Sequence, residues 1–125
     1  MIARALATVA LLSAGPFPAT GAQPQSVVRA EIEYLLQSIG TSPCLFFRNG
    51  SWYDGPRARA HLRTKYDYLA ARDLIATAED FIDKAATRSS VSGEPYEVRC
   101  GKDPEVQTRV WLRAVLARYR ASTRR

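Results

Sequence analysis

The chain is poor in the residues that make chemistry easy to recognise: it has one histidine, two cysteines and one methionine. It also lacks the short patterns that mark common catalytic sites. There is no Cys-x-x-Cys, His-Glu-x-x-His, Gly-x-Ser-x-Gly, phosphate loop or dinucleotide fingerprint. No residue is therefore given a catalytic role, and no cofactor is expected. One histidine and two cysteines cannot fill a tetrahedral metal shell without carboxylates, so no metal is expected either. No apolar run reaches the roughly 20 residues that cross a bilayer. Internal repeats and low-complexity segments are missing as well.

What is present starts with an export pattern. Arg4 precedes an apolar stretch from Ala5 to Ala14, interrupted only by Thr8 and Ser13. Gly15, Pro16 and Pro18 break it, and Thr20-Gly21-Ala22 offers the small residues a signal peptidase reads. Residues 1–22 are expected to be a signal peptide, and residues 23–125 a single mature globular domain without a transmembrane segment. Its compartment is then oxidising, so the even count of cysteines predicts a Cys44–Cys100 disulfide. The formal net charge is +6. That balance favours anionic partners but serves solubility equally well. Nucleic acid is not expected as a partner of an exported protein, and a monomer is expected.

Val28, Ile32, Leu35, Leu36 and Ile39 form one face of a helix, with Gly40 read as its C-terminal stop. Two short aromatic runs, Cys44–Arg48 and Ser51–Tyr53, flank Asn49-Gly50, the strongest short hairpin signal. Asn49-Gly50-Ser51 also fits a glycosylation acceptor, but is read here only as the turn. Asp54 and Pro56 open a second helix to about Arg72, with Ala58, Leu62, Tyr66 and Leu69 on its apolar face. Thr77 with Asp80 caps a third helix, whose buried stripe is Ala78, Phe81, Ile82, Ala85 and Ala86. Tyr96–Cys100 suits a third strand. Asp103-Pro104 opens the last helix, with Trp111, Leu112, Val115, Leu116 and Tyr119 on one face. The expected fold is α+β: a three-stranded antiparallel sheet, made of the hairpin plus one strand, covered by about four helices and tied by one disulfide.

Several motifs occur in one order: Glu31-Ile-Glu-Tyr-Leu-Leu, Arg48-Asn-Gly-Ser-Trp-Tyr, His61-Leu with Lys65-Tyr66, Thr77-Ala-Glu-Asp-Phe-Ile and Ser89-Ser-Val-Ser-Gly-Glu-Pro-Tyr. Together, over roughly Glu31 to Leu116, they resemble the YfeK-like family of small bacterial periplasmic proteins, a domain of unknown function. The resemblance implies export to a Gram-negative periplasm. It supplies no activity, cofactor or catalytic residue.

The candidate binding residues come from three places. Arg48, Trp52 and Tyr53 sit in the hairpin. His61, Lys65, Tyr68 and Arg72 stand at i, i+4, i+7 and i+11 on the second helix, a ridge beside its apolar face. Ser89 and Ser90 open a Ser-rich loop. A ring, a phenol and cations suit a carboxylate, phosphate or sugar. In the expected arrangement Trp52 and Tyr53 wall one end of the ridge, and the Ser89–Tyr96 loop closes the other. The expected function is a non-catalytic envelope accessory or binding module, with an unknown envelope protein or anionic ligand as partner. One alternative is a small hydrolase using His61 with Ser89 or Ser90. Another is a basic surface: Arg109, Arg113, Arg120 and Arg124 share a stripe about 60° wide on the last helix, suited to anionic envelope components.

Overall fold

The computed structural model describes residues 2, 3, 5, 7–13, 15 and 23–124. The expected cleavage point after Ala22 lies outside the described residues. No helix among them is long and apolar enough to cross a membrane.

In order, the elements are α1 (Gln25–Thr41), β1 (Leu45–Arg48), β2 (Ser51–Tyr53), α2 (Gly55–Ala70), α3 (Ala78–Ala85), β3 (Glu97–Arg99), β4 (Val106–Gln107) and α4 (Thr108–Thr123). The α+β class holds, with four helices. The sheet, however, has four antiparallel strands in the order β2-β1-β3-β4, not three. The extra strand has two residues, too few to show an alternating pattern. It exists because β3 offers it a free edge: Glu97 pairs with Gln107 and Val98 with Val106.

The last helix accordingly starts at Thr108, five residues later than Asp103. Pro104 disfavours helical backbone at the residue before it. Gly101, with φ +60°, and the Asp103 amide, bonded to the Cys100 carbonyl, make a turn there instead. Gly40 is likewise not a stop. Helix α1 runs on to Thr41, and Gly40 sits against the Arg59 side chain of α2.

The local signals that held have clear geometry. Asn49 and Gly50 both take positive φ, 49° and 82°, as the two-residue hairpin requires. Asp54 accepts the Arg57 amide at the start of α2. Thr77 and Asp80 bond each other's backbone in a reciprocal cap on α3.

One core joins α1, α3, α4 and the inner sheet face. Ile32, Leu35, Leu36, Ile39, Phe81, Ile82 and Leu112 are fully buried in it, with Phe46 and Val98 from the sheet. Phe46 meets Trp111 edge-on at 5.7 Å, and Tyr66 of α2 meets Phe81 at 5.8 Å. The Cys44–Cys100 disulfide is formed, with a sequence separation of 56. It fastens the entry to β1 to the exit of β3. By chain entropy, closing a loop of that length is worth about 4 kcal/mol.

Candidate functional site

The pleat of the hairpin decides which aromatic and basic side chains reach α2. Side chains alternate along a strand, so Phe46 and Arg48 share the inner face. The register opposes Phe46 to Tyr53 and Phe47 to Trp52. Tyr53 therefore joins Phe46 and Arg48 inside. Trp52 falls on the outer face, against Phe47 at 5.3 Å and under the Arg99 guanidinium at 4.3 Å. Of the two aromatics expected to wall the ridge, only Tyr53 does.

Arg48, His61, Lys65 and Tyr96 converge where the hairpin meets α2. Arg48 Nη1 lies 3.1 Å from His61 Nδ1, and its guanidinium lies 4.7 Å from the Tyr53 ring centre. His61 Nε2 lies 3.2 Å from Tyr96 Oη. Lys65 Nζ donates to the same phenol at 3.2 Å and to the Arg88 carbonyl at 3.1 Å. Arginine only donates, so His61 Nδ1 accepts and its proton sits on Nε2, which donates to Tyr96. The imidazole is thus held neutral in one tautomer. Burial first, then Arg48 and Lys65, lower the His61 pKa, in agreement with that assignment. Lys65 is also lowered, by burial and then Arg48, while burial raises Tyr96.

Donors outnumber acceptors here. Tyr96 Oη accepts from both His61 and Lys65, and among the described residues no acceptor stands opposite its own hydrogen. Among the described residues, neither Arg48 nor Lys65 has a carboxylate partner. Beside the cluster lies a small hollow of about 20 Å³, lined by Phe46, Arg48, Tyr53, His61, Tyr96 and Thr108 among others. Thr108 is 1% exposed, and among the described residues its buried hydroxyl has no hydrogen-bond partner. Its amide bonds the Tyr96 carbonyl at 2.9 Å, which sets the two residues side by side.

Lys65 also borders a second, open hollow of about 300 Å³, with Thr64, Tyr68, Leu69, Lys84 and Ser90. The ridge is therefore divided. Tyr68 lies on this second hollow, while Arg72 stacks on the Tyr68 ring at 3.5 Å and donates to the Tyr68 carbonyl. Ser89 is buried, and its hydroxyl accepts the Val91 and Ser92 amides, so it shapes its own turn. No hydrogen bond joins His61 to Ser89 or Ser90 among the described residues. Ser92, not Ser89 or Ser90, touches the hairpin, donating to Asn49 Oδ1 at 2.6 Å.

The arginine stripe of α4 is also divided. Arg120 turns inward to Glu31 and Glu79, and Arg113 pairs with Asp83. Arg109 and Arg124 remain exposed. Among the described residues no group of three or more His, Cys, Asp or Glu is placed to hold a metal ion.

Two members of the site went unmarked in the sequence. Tyr96 alternates with the buried Val98, which signals burial but not the use of its hydroxyl. Thr108 carries no signal, since its importance depends on where α4 begins.

Fold and site together define a small disulfide-tied α+β domain with a donor-rich polar cluster beside an apolar hollow. The chain belongs to the Family of unknown function (DUF5329), whose model matches residues 26–120. A relative from Salmonella typhimurium, described as "Uncharacterized protein YfeK", is 41% identical over 68 residues. That match covers 54% of this chain and 55% of the relative, so it spans about half of each. No solved structure matches.

Proposed function

We propose that this protein is an exported, non-catalytic accessory module of the Gram-negative periplasm that binds an anionic group at Arg48, His61, Lys65 and Tyr96. The observation that carries the reading is the excess of donors, with no carboxylate paired to Arg48 or Lys65 among the described residues. Such a cluster is matched by an acceptor brought from outside. The disulfide accords with an oxidising compartment. Arg48 and Tyr96 engage both ring nitrogens of His61, which supports binding over general-base chemistry.

Two measurements test it. Osmotic-shock fractionation of expressing cells releases a disulfide-bonded form lacking Met1; a reduced, full-length cytoplasmic form overturns export. NMR titration of the oxidised protein with inorganic phosphate gives saturable shifts at the His61 ring. Arg48→Gln with Lys65→Gln weakens that binding at least about tenfold, whereas Arg109→Gln with Arg124→Gln, the same loss of charge at exposed sites, leaves it unchanged. Equal loss in both double variants would reduce the effect to general basicity.

A further inference from the structure

We infer that Lys65 is the nucleophile of a carbonyl-binding site: lining the open hollow beside α2, its amine forms a reversible imine with a small apolar aldehyde. Among the described residues Lys65 Nζ has two partners, the Arg88 carbonyl at 3.1 Å and Tyr96 Oη at 3.2 Å, and both are neutral acceptors. An ammonium has three N–H bonds, so one of them meets no protein acceptor. The neutral amine keeps both hydrogen bonds and carries its lone pair in that third direction. Lys65 is half-buried, and Arg48 lies close enough to act on its charge. Desolvation and a neighbouring cation are the two conditions that make a lysine nucleophilic. The other two lysines of the chain differ. Lys84 lines the same hollow, but its Nζ stands 3.9 Å from Asp80 Oδ1 and donates to the Leu74 carbonyl at 2.8 Å. Lys102 is exposed on the turn after β3.

The hollow of about 300 Å³ is of small-molecule size, and Tyr68 and Leu69 offer apolar surface to a short tail. In the reaction the Nζ lone pair forms a bond to the carbonyl carbon, and the C=O π pair moves to oxygen. One proton passes from nitrogen to that oxygen, giving a carbinolamine. The hydroxyl then leaves with the remaining N–H proton as water, and the nitrogen pair closes the C=N bond. The imine nitrogen has a lone pair and no hydrogen. Tyr96, whose own hydrogen meets no acceptor in the free protein, then donates to it, so the hydrogen bond seen at 3.2 Å survives with its direction reversed.

The oxidised full chain is incubated at pH 7 with pentanal or with glycolaldehyde, each with cyanoborohydride to trap imines as secondary amines, and the modified lysines are mapped by peptide mass spectrometry. Pentanal is expected to modify Lys65 at least about tenfold faster than Lys84 or Lys102. Glycolaldehyde, which lacks the apolar tail, should lose most of that preference. Equal rates at the three lysines, or Lys65 the slowest, overturn the site, and this comparison needs no variant. The same preference for Lys65 with both aldehydes overturns the part given to the apolar hollow. Arg48→Gln should bring Lys65 close to the rate of Lys102; an unchanged preference in a variant with parental circular dichroism overturns the part given to the guanidinium. Both probes are uncharged, so these outcomes are separate from those of the phosphate titration and leave the anion-binding reading to its own test.

Discussion

At the scale of single residues, the most informative group is His61. It faces Arg48 from β1, Lys65 from its own helix, and Tyr96 and Tyr53 from the sheet side. Its folded pKa lies below the ordinary value of 6.5, through burial first and the two cations second. Between 6.5 and that lower value the unfolded chain holds a proton that the folded ring does not. The stability linked to His61 is therefore fully present above 6.5 and is lost as the pH falls through this window. His61→Gln, which cannot titrate, is expected to flatten that slope. Urea midpoints measured at about pH 5 and about pH 8 should lie closer together in the variant than in the parent. The same residue shows how far spacing carries. His61 and Lys65 were legible as ridge neighbours from their i, i+4 positions. Their joint hold on Tyr96 was not, because Tyr96 lies 35 residues from His61 in sequence.

At the scale of elements, short-range patterns located most helices and the hairpin, while their ends depended on neighbours. Two glycines illustrate the point. A Cβ at Gly55, the first residue of α2, would run into the carbonyls of Ile39, Gly40 and Ser42 at the end of α1. Backbone cannot step aside, so Gly55→Ala should cost about 2–3 kcal/mol. A Cβ at Gly40 would meet the Arg59 side chain, 2.6 Å from its Cδ. That chain is flexible, and alanine favours the helix by about 0.5–1 kcal/mol, so Gly40→Ala should be close to neutral. Denaturant midpoints of the two variants check the contrast. The sequence marked Gly40 as a boundary because glycine often ends helices. In the fold both glycines mark the close approach of α1 to α2, which no local pattern encodes.

At the scale of the molecule, α1, α3 and α4 are joined by charge as well as by apolar packing. Arg120 bonds Glu31 through Nε at 2.6 Å and Nη2 at 3.1 Å, and also reaches Glu79. Glu31 is only 3% exposed. Arg120→Ala would leave that carboxylate buried without its partner and should cost about 3–5 kcal/mol. Arg113→Ala breaks a pair whose side chains are 47% and 48% exposed, and should cost less than about 1 kcal/mol. Thermal melts of both variants test this division of the stripe into a structural and a surface half. Neither Glu31 nor its partner, 89 residues away, was marked as a pair by the local pattern.

The features legible in the amino-acid order alone are local or set by composition. The hairpin follows from Asn-Gly between aromatic runs, the α3 cap from Thr77 and Asp80, and the buried helix faces from their 3.6-residue period. The pairing of the only two cysteines follows from their even count. Long-range packing set which face of the hairpin met α2, and so placed Tyr53 inside and Trp52 outside. It alone added β4, moved the start of α4 to Thr108, turned Arg120 inward and gathered the donors around Tyr96. These outcomes depend on register and on contacts across many residues. Their energies belong to pairs of distant side chains, and local periodicity carries no record of such pairs.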